Sequence, residues 1–254
     1  MCGRYGASWG VDDLVAEFGL DSVDFGEAER LEPDWNVAPT KPVYAVVTRR
    51  QKDAPAEEPA TRRLVVLRWG LVPFWASDPK VGSRMINARI ETAATKPAFR
   101  EAFARRRCLL PADGYYEWYA TDTPAGKPTK QPYFIRRQDG GTLAMAGLYE
   151  FWRDPTRGRD DPSAWLRTCT VLTTTATDAI GHIHDRQPMF VEPQAWSTWL
   201  DPTVSDAAVV ADLLVAGPTS GLIAHPVSTA VNNHRNNGPE LVAPVDEAAS
   251  YTLF

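Results

Sequence analysis

Six short runs of β-type residues recur along the chain: VYAVVT (43–48), LVVLRW (64–69), YFIRR (133–137), TLAMAGLY (142–149), TCTVLTT (168–174) and PMFV (188–191). β-Branched and aromatic side chains dominate them, and turn-forming residues separate them. With so few helix-period segments between, these strands find their partners mainly by antiparallel pairing. The expected fold is α+β: a mainly antiparallel, barrel-like twisted β-sheet core with helices packed outside.

One helix is predicted over 11–18, where Val11, Leu14, Val15 and Phe18 share a face and Gly19 supplies a stop. A second opens near Pro97 and carries Phe99, Phe103 and the cluster Arg100, Arg105, Arg106 and Arg107. Two more fit 192–200 and 205–215. The stretches 51–61, 121–131 and 153–163 mix Pro or Gly with charge and read as exposed loops. None is long enough for a linker, so residues 1–254 are expected to form a single domain.

The net charge of −5 argues against a surface that coats nucleic acid as a whole. The arginine cluster fits a local basic groove or a solvated helix face equally well. No apolar run approaches the roughly 18 residues of a membrane helix, and no secretory leader is recognisable. Three cysteines without zinc-like spacing imply reduced thiols and a cytoplasmic protein, with Cys108 and Cys169 as core residues. Nothing in the pattern calls for a cofactor, a metal or an oligomer, so a monomer is expected.

Several segments carry polar groups suited to chemistry. Removing Met1 would leave Cys2 with an amine and a thiol on adjacent carbons, and an α-amine titrates at about pH 8. Such a pair can condense with an aldehyde, or the thiol can serve as the nucleophile of an N-terminal hydrolase. In INARIET an extended backbone would put Asn87, Arg89 and Glu91 on one face. Glu117, between Tyr116 and Trp118, is either a general acid/base or an outward strand glutamate. His182 and His184 would share a face in GHIHDRQ, with Arg186 aligned to hold an anion. Further ligands at metal spacing are missing there, which favours acid/base or structural histidines. RWGLVPFWASD offers Trp69, Phe74 and Trp75 around Gly70 and Pro73, either to stack on bases or to pack the core.

In order along nearly the whole chain, MCGRY, NVAPT, RWGLVPFWA, INARIET, RRRCLLPADGYYEW, AGLYEFW, TVLTTTA, HDRQP and VNNHRNNGPEL resemble the SOS response-associated peptidase (SRAP) family. The resemblance implies a protein that acts on abasic sites in single-stranded DNA. It makes Cys2 the crosslinking residue, which forms a thiazolidine with the opened sugar. It also implies that Asn87 orients the sugar, Glu117 is the acid/base of ring opening and Schiff-base formation, and His184 is a second acid/base group. Arg4, Arg89 and Arg186 match phosphate-gripping positions, Pro39 and Thr40 lie beside the strand, and Trp69, Phe74 and Trp75 belong to the base-stacking region. The partner implied is single-stranded DNA containing abasic sites, and a lyase or self-processing peptidase activity is compatible with the same residues.

One position departs from the pattern: Gln187 stands where the family usually has methionine, which bears on local packing. Two other functions fit parts of the chain, an N-terminal-nucleophile cysteine amidohydrolase and a non-covalent single-strand-binding module.

Overall fold

The computed structural model describes residues 2–26, 28–50, 60–121, 129–158, 160–176 and 183–245. The strands are β1 (Tyr5–Ala7), β2 (Ser22–Asp24), β3 (Asp34–Val37), β4 (Pro42–Arg49), β5 (Thr61–Trp69), β6 (Asn87–Arg89), β7 (Arg107–Ala112), β8 (Gly114–Thr121), β9 (Thr129–Arg137), β10 (Leu143–Arg153), β11 (Trp165–Thr175), β12 (Arg186–Pro188), β13 (Phe190–Val191), β14 (Leu214–Val215) and β15 (Leu222–Pro226). The helices are α1 (Val11–Phe18), α2 (Ile90–Ala93), α3 (Arg100–Arg105), α4 (Trp196–Leu200) and α5 (Ala207–Asp212). None of the described helices is long and apolar enough to cross a membrane.

Strand alternation sorts the apolar side chains into two buried clusters. Val43, Ala45, Val47, Val65, Leu67, Trp69, Cys108 and Leu110 belong to one, and Val46, Leu64, Leu109, Ala146 and Leu148 to the other. The sheet closes on itself: β5–β4, β4–β7, β7–β10 and β10–β11 pair antiparallel, and β11 returns to β5 in parallel. Closure removes the sheet edges. The second cluster meets Leu14 and Phe18 of α1, Phe103 of α3, Trp199 of α4 and Val210 of α5, so these helices cover the barrel from outside. A second sheet, ordered β15–β9–β8–β1–β3, adds Tyr5, Val37, Tyr115 and Ile135 to the first cluster.

Helix α1 has the predicted bounds, and Gly19 ends it in the left-handed region at φ 55°, its N–H bonded to the Val15 carbonyl. The segment predicted over 192–200 is a 3₁₀ turn followed by α4. The one predicted over 205–215 is shorter, because Leu214 and Val215 pair with β13 instead of continuing α5. Most of 51–61 and 121–131 lies outside the described residues. Gly70, at φ 124°, sits so close to Gly82 that an added Cβ would lie 2.6 Å from the Gly82 carbonyl oxygen. This contact seats the segment carrying Phe74 and Trp75.

The arginine cluster divides. Arg100 and Arg105 are exposed, Arg106 pairs with Glu150 at 2.7 Å, and Arg107 is buried. Arg107 donates to the carbonyls of Phe103, Ala104, Trp199 and Asp201 at 2.6–2.9 Å, satisfying groups left over at the ends of α3 and α4. Burial lowers its pKa to about 10, and the group stays charged at neutral pH. Arg107→Leu strips these carbonyls of their donors and is expected to lower stability by about 3–5 kcal/mol. Urea denaturation measures this directly.

Candidate active site

β1 pairs with β8 through Tyr5↔Tyr115 and Gly6↔Gly114, and the Tyr116 N–H then donates to the Arg4 carbonyl at 2.9 Å. β8 runs on to Thr121, so Glu117 and Trp118 stand where the start of the chain arrives. Cys2 is fully buried there, in the cluster that also holds Tyr5, Trp69 and Tyr115. Asn87 reaches it from β6, which β11 holds in parallel through Val171↔Asn87. The Asn87 amide donates to the Cys2 carbonyl at 2.7 Å, and its own Oδ1 is buried without a partner. That oxygen is a ready acceptor for an incoming hydroxyl or amine.

The electrostatics follow from burial. Loss of solvent pushes the Cys2 thiol well above the ordinary thiol range, and the charge of Glu117 pushes it further. Burial likewise raises Glu117 from 4.5 to about 7, with Asp185 acting in the same direction and the positive amino terminus opposing. His184 is lowered by burial, then by the amino terminus, so its ring is neutral at neutral pH. The His184 Nδ1 accepts the Arg186 N–H at 3.0 Å, yet it also lies 2.9 Å from Asp185 Oδ1. Both groups compete for this one nitrogen, and the other, Nε2, is 4.0 Å from Glu117 Oε2. The site therefore holds a carboxyl poised between its two states, a neutral imidazole and a protonated thiol.

A cavity of about 420 Å³ opens on the carboxyl and the imidazole, lined by Glu117, His184, Trp118, Lys130 and Asn232. A larger cleft of about 710 Å³, near Asp21, Arg50 and Arg62, contains none of the candidate residues. The structure thus brings together Cys2, Asn87, Glu117 and His184. Sequence reasoning missed Trp118, Lys130 and Asn232 as lining groups. Trp118 follows Glu117 directly in the chain, but nothing local pointed to Asn232, more than a hundred residues away. Its side chain accepts the Trp118 indole N–H at 2.7 Å.

Several expectations need correction. Trp69 has no exposed surface: it packs edge-on to Tyr5 and donates to the Ile86 carbonyl, so it belongs to the core and has no face for a base. In INARIET the strand ends at Arg89 and α2 begins at Ile90, which takes Glu91 off the face shared by Asn87 and Arg89. Arg186 does not stand beside His184 as an anion clamp. Its guanidinium is buried, held by both Glu91 oxygens at 2.5 and 3.0 Å and by the Thr173 carbonyl at 2.8 Å. Arg4 spends its Nη1 on Asn36 Oδ1 and the Val231 carbonyl, which tie the chain start to the 231–237 segment. Gln187 is buried and donates to the Ala216 carbonyl, a polar tether where methionine would only pack. Cys108 and Cys169 are buried in the core, as expected.

The remaining candidates are accessible. Arg89 and Thr40 are exposed and Pro39 is half-buried. Thr40 holds φ 72°, an uncommon conformation for a β-branched residue, stabilised by its N–H to the Trp69 carbonyl at 2.8 Å. Phe74 and Trp75 are 59% and 55% exposed and line a separate cleft of about 400 Å³ with Pro97, Arg100 and Arg106. His182 lies outside the described residues.

Comparison with known proteins identifies the family. The chain is 36% identical over 242 residues to the abasic site processing protein YoqW of Bacillus subtilis (strain 168), covering 95% of this chain and 99% of that one. It is 31% identical over 251 residues to the abasic site processing protein YedK of Escherichia coli (strain K12), covering 96% and 100%. A solved structure of a protein from Bacteroides thetaiotaomicron superposes with a TM-score of 0.79 at 25% identity, covering 96% of this chain and 100% of that one. Residues 1–234 match the family described as SOS response associated peptidase, and this chain therefore belongs to the SRAP family.

Proposed function

We propose that the protein processes abasic sites in single-stranded DNA, capturing the sugar aldehyde covalently through Cys2 once Met1 is removed. The observation that carries this reading is the clustering of four groups at the start of the chain: Asn87 bonded to Cys2, Glu117 close enough to shift the Cys2 thiol, and His184 beside Glu117 at the cavity. An abasic sugar is a closed hemiacetal in equilibrium with an aldehyde. The protonated Glu117 carboxyl donates to the ring oxygen while the hemiacetal hydroxyl gives its proton to water, which returns one to Glu117, and the C1′ aldehyde opens. The neutral Cys2 amine adds to C1′, and loss of one water leaves an imine. The Cys2 sulfur then adds to C1′ and its proton goes to nitrogen, closing a five-membered thiazolidine. The net change is release of one water, with C1′ bonded to both nitrogen and sulfur.

A buried, protonated thiol favours this order of events. The amine is the first nucleophile, whereas a cysteine amidohydrolase needs the thiolate. Asn87 fixes the Cys2 backbone, and its open Oδ1 receives a sugar hydroxyl. Arg89, Pro39 and Thr40 serve the flanking strand. The exposed rings of Phe74 and Trp75 offer stacking faces worth about 1–3 kcal/mol per unpaired base.

Incubating the protein with an abasic single-stranded oligonucleotide is expected to give a band that survives boiling in SDS, from protein whose intact mass lacks Met1. Absence of that band, with ammonia released from glutamine instead, would reject the proposal in favour of the hydrolase.

A further inference from the structure

Two arginines expected to grip phosphate are committed within the protein: Arg186 to Glu91 and Thr173, Arg4 through its Nη1 to Asn36 and Val231. The cavity that holds the acid/base pair is nonetheless also lined by hydrogen-bond donors. Lys130, exposed on β9 and paired across to Ala120, brings an ammonium group to that lining. Its charge is felt at His184, whose pKa it lowers after the larger effects of burial and the amino terminus. Beside it, Asn232 is also exposed, and its Oδ1 is occupied by the Trp118 indole N–H at 2.7 Å. With the oxygen so occupied, the amide NH₂ is the end left to serve a ligand. Trp118 is itself braced by the Arg4 guanidinium, 6.0 Å from the ring centroid.

We infer that Lys130 and the Asn232 amide form a phosphate subsite, which receives the phosphodiester next to the sugar held at Glu117 and His184. The inference rests on the abasic-site reading and adds a specificity to it: the site selects a sugar aldehyde that carries a neighbouring phosphate over the free sugar. Ammonium and amide donors supply the charge-assisted hydrogen bonds a phosphate oxygen takes.

Two small probes isolate the effect, 2-deoxyribose and 2-deoxyribose 5-phosphate, each offered to the full chain lacking Met1. Wild type is expected to capture the phosphorylated sugar about tenfold faster at low salt. Lys130→Ala brings the ratio of the two rates towards one. So does Asn232→Asp, which keeps an acceptor for Trp118 while placing negative charge in the subsite. Lys130→Arg retains the preference. Using the ratio cancels any change that Lys130→Ala causes at His184, because both sugars meet the same imidazole. With an oligonucleotide carrying a non-reactive abasic analogue, Lys130→Ala should lower the slope of log affinity against log salt by about 0.7. A ratio and slope unchanged in Lys130→Ala overturn the subsite while leaving covalent capture intact. No adduct between wild type and either sugar or an abasic oligonucleotide overturns the abasic-site reading and the subsite with it.

Discussion

Cys2→Ala, with Met1 removed, is expected to form no adduct with abasic single-stranded DNA that survives boiling in SDS. The alanine variant keeps the α-amine, so its Schiff base still forms and borohydride traps it; that trapped product also shows that the fold and the cavity persist. Cys2→Ser closes a less stable oxygen-containing ring and should give an adduct that is lost on heating. Retaining residues ahead of Cys2 blocks the amine while leaving every side chain intact, and is expected to abolish both the heat-stable adduct and the borohydride-trapped one. An adduct of equal stability in Cys2→Ser would count against the thiazolidine. A stable adduct on a blocked amine would count against the amine as first nucleophile.

Glu117→Gln is expected to slow adduct formation by about 10²–10⁴, the usual worth of a positioned acid/base group. The pH profile carries more information than the rate. Wild type needs Glu117 protonated and the Cys2 amine neutral, so its rate peaks between Glu117 at about 7 and the amine at about 8, falling at higher pH as Glu117 ionises and at lower pH as the amine gains its proton. The glutamine variant loses the alkaline limb and follows the amine alone. Stability moves the opposite way. A carboxyl whose folded pKa is raised binds more protons in the folded state than in the unfolded chain between 4.5 and about 7, so stability falls as pH rises through that window. The full effect is roughly 3 kcal/mol above pH 7. Glu117→Gln should therefore raise Tm relative to wild type at pH 8 and leave it little changed at pH 4. A variant no more stable than wild type at pH 8 would show that Glu117 is not held protonated by burial. The protein accepts this destabilisation at its site, as is common where a group must be poised for proton transfer.

The strand runs and α1 were legible because their signals are local: a period of two or 3.6 needs only neighbouring residues to be read. The helix of 205–215 was overrun because Leu214 and Val215 continue the apolar pattern, and their pairing with Phe190 and Val191 is a long-range fact. INARIET misled for a related reason. Its alternation is genuine only to Arg89, after which the chain turns into α2 and Glu91 meets Arg186, ninety-five residues on. Trp69 shows the limit most plainly. An aromatic beside a Gly/Pro turn looks the same whether it faces a base or a barrel interior, and only closure of β5 against β11 buries it.

The sequence by itself determined the two-period patterning that dictates a barrel-like sheet, and the chemical inventory of the site, since an aminothiol, a flanked glutamate and a histidine are properties of residue type. The tertiary structure alone decided what those groups are. It buries the start of the chain against β8, which keeps the Cys2 thiol protonated and lifts Glu117 to about 7. It ties the His184 Nδ1 to the Arg186 backbone and turns Nε2 towards Glu117, 4.0 Å away. It also locks Arg4 and Arg186 into internal bonds and sets Lys130 and Asn232 at the cavity in their place. Burial, pKa and hydrogen-bond partner depend on what surrounds an atom, and in a closed barrel those surroundings come from residues far apart in the chain.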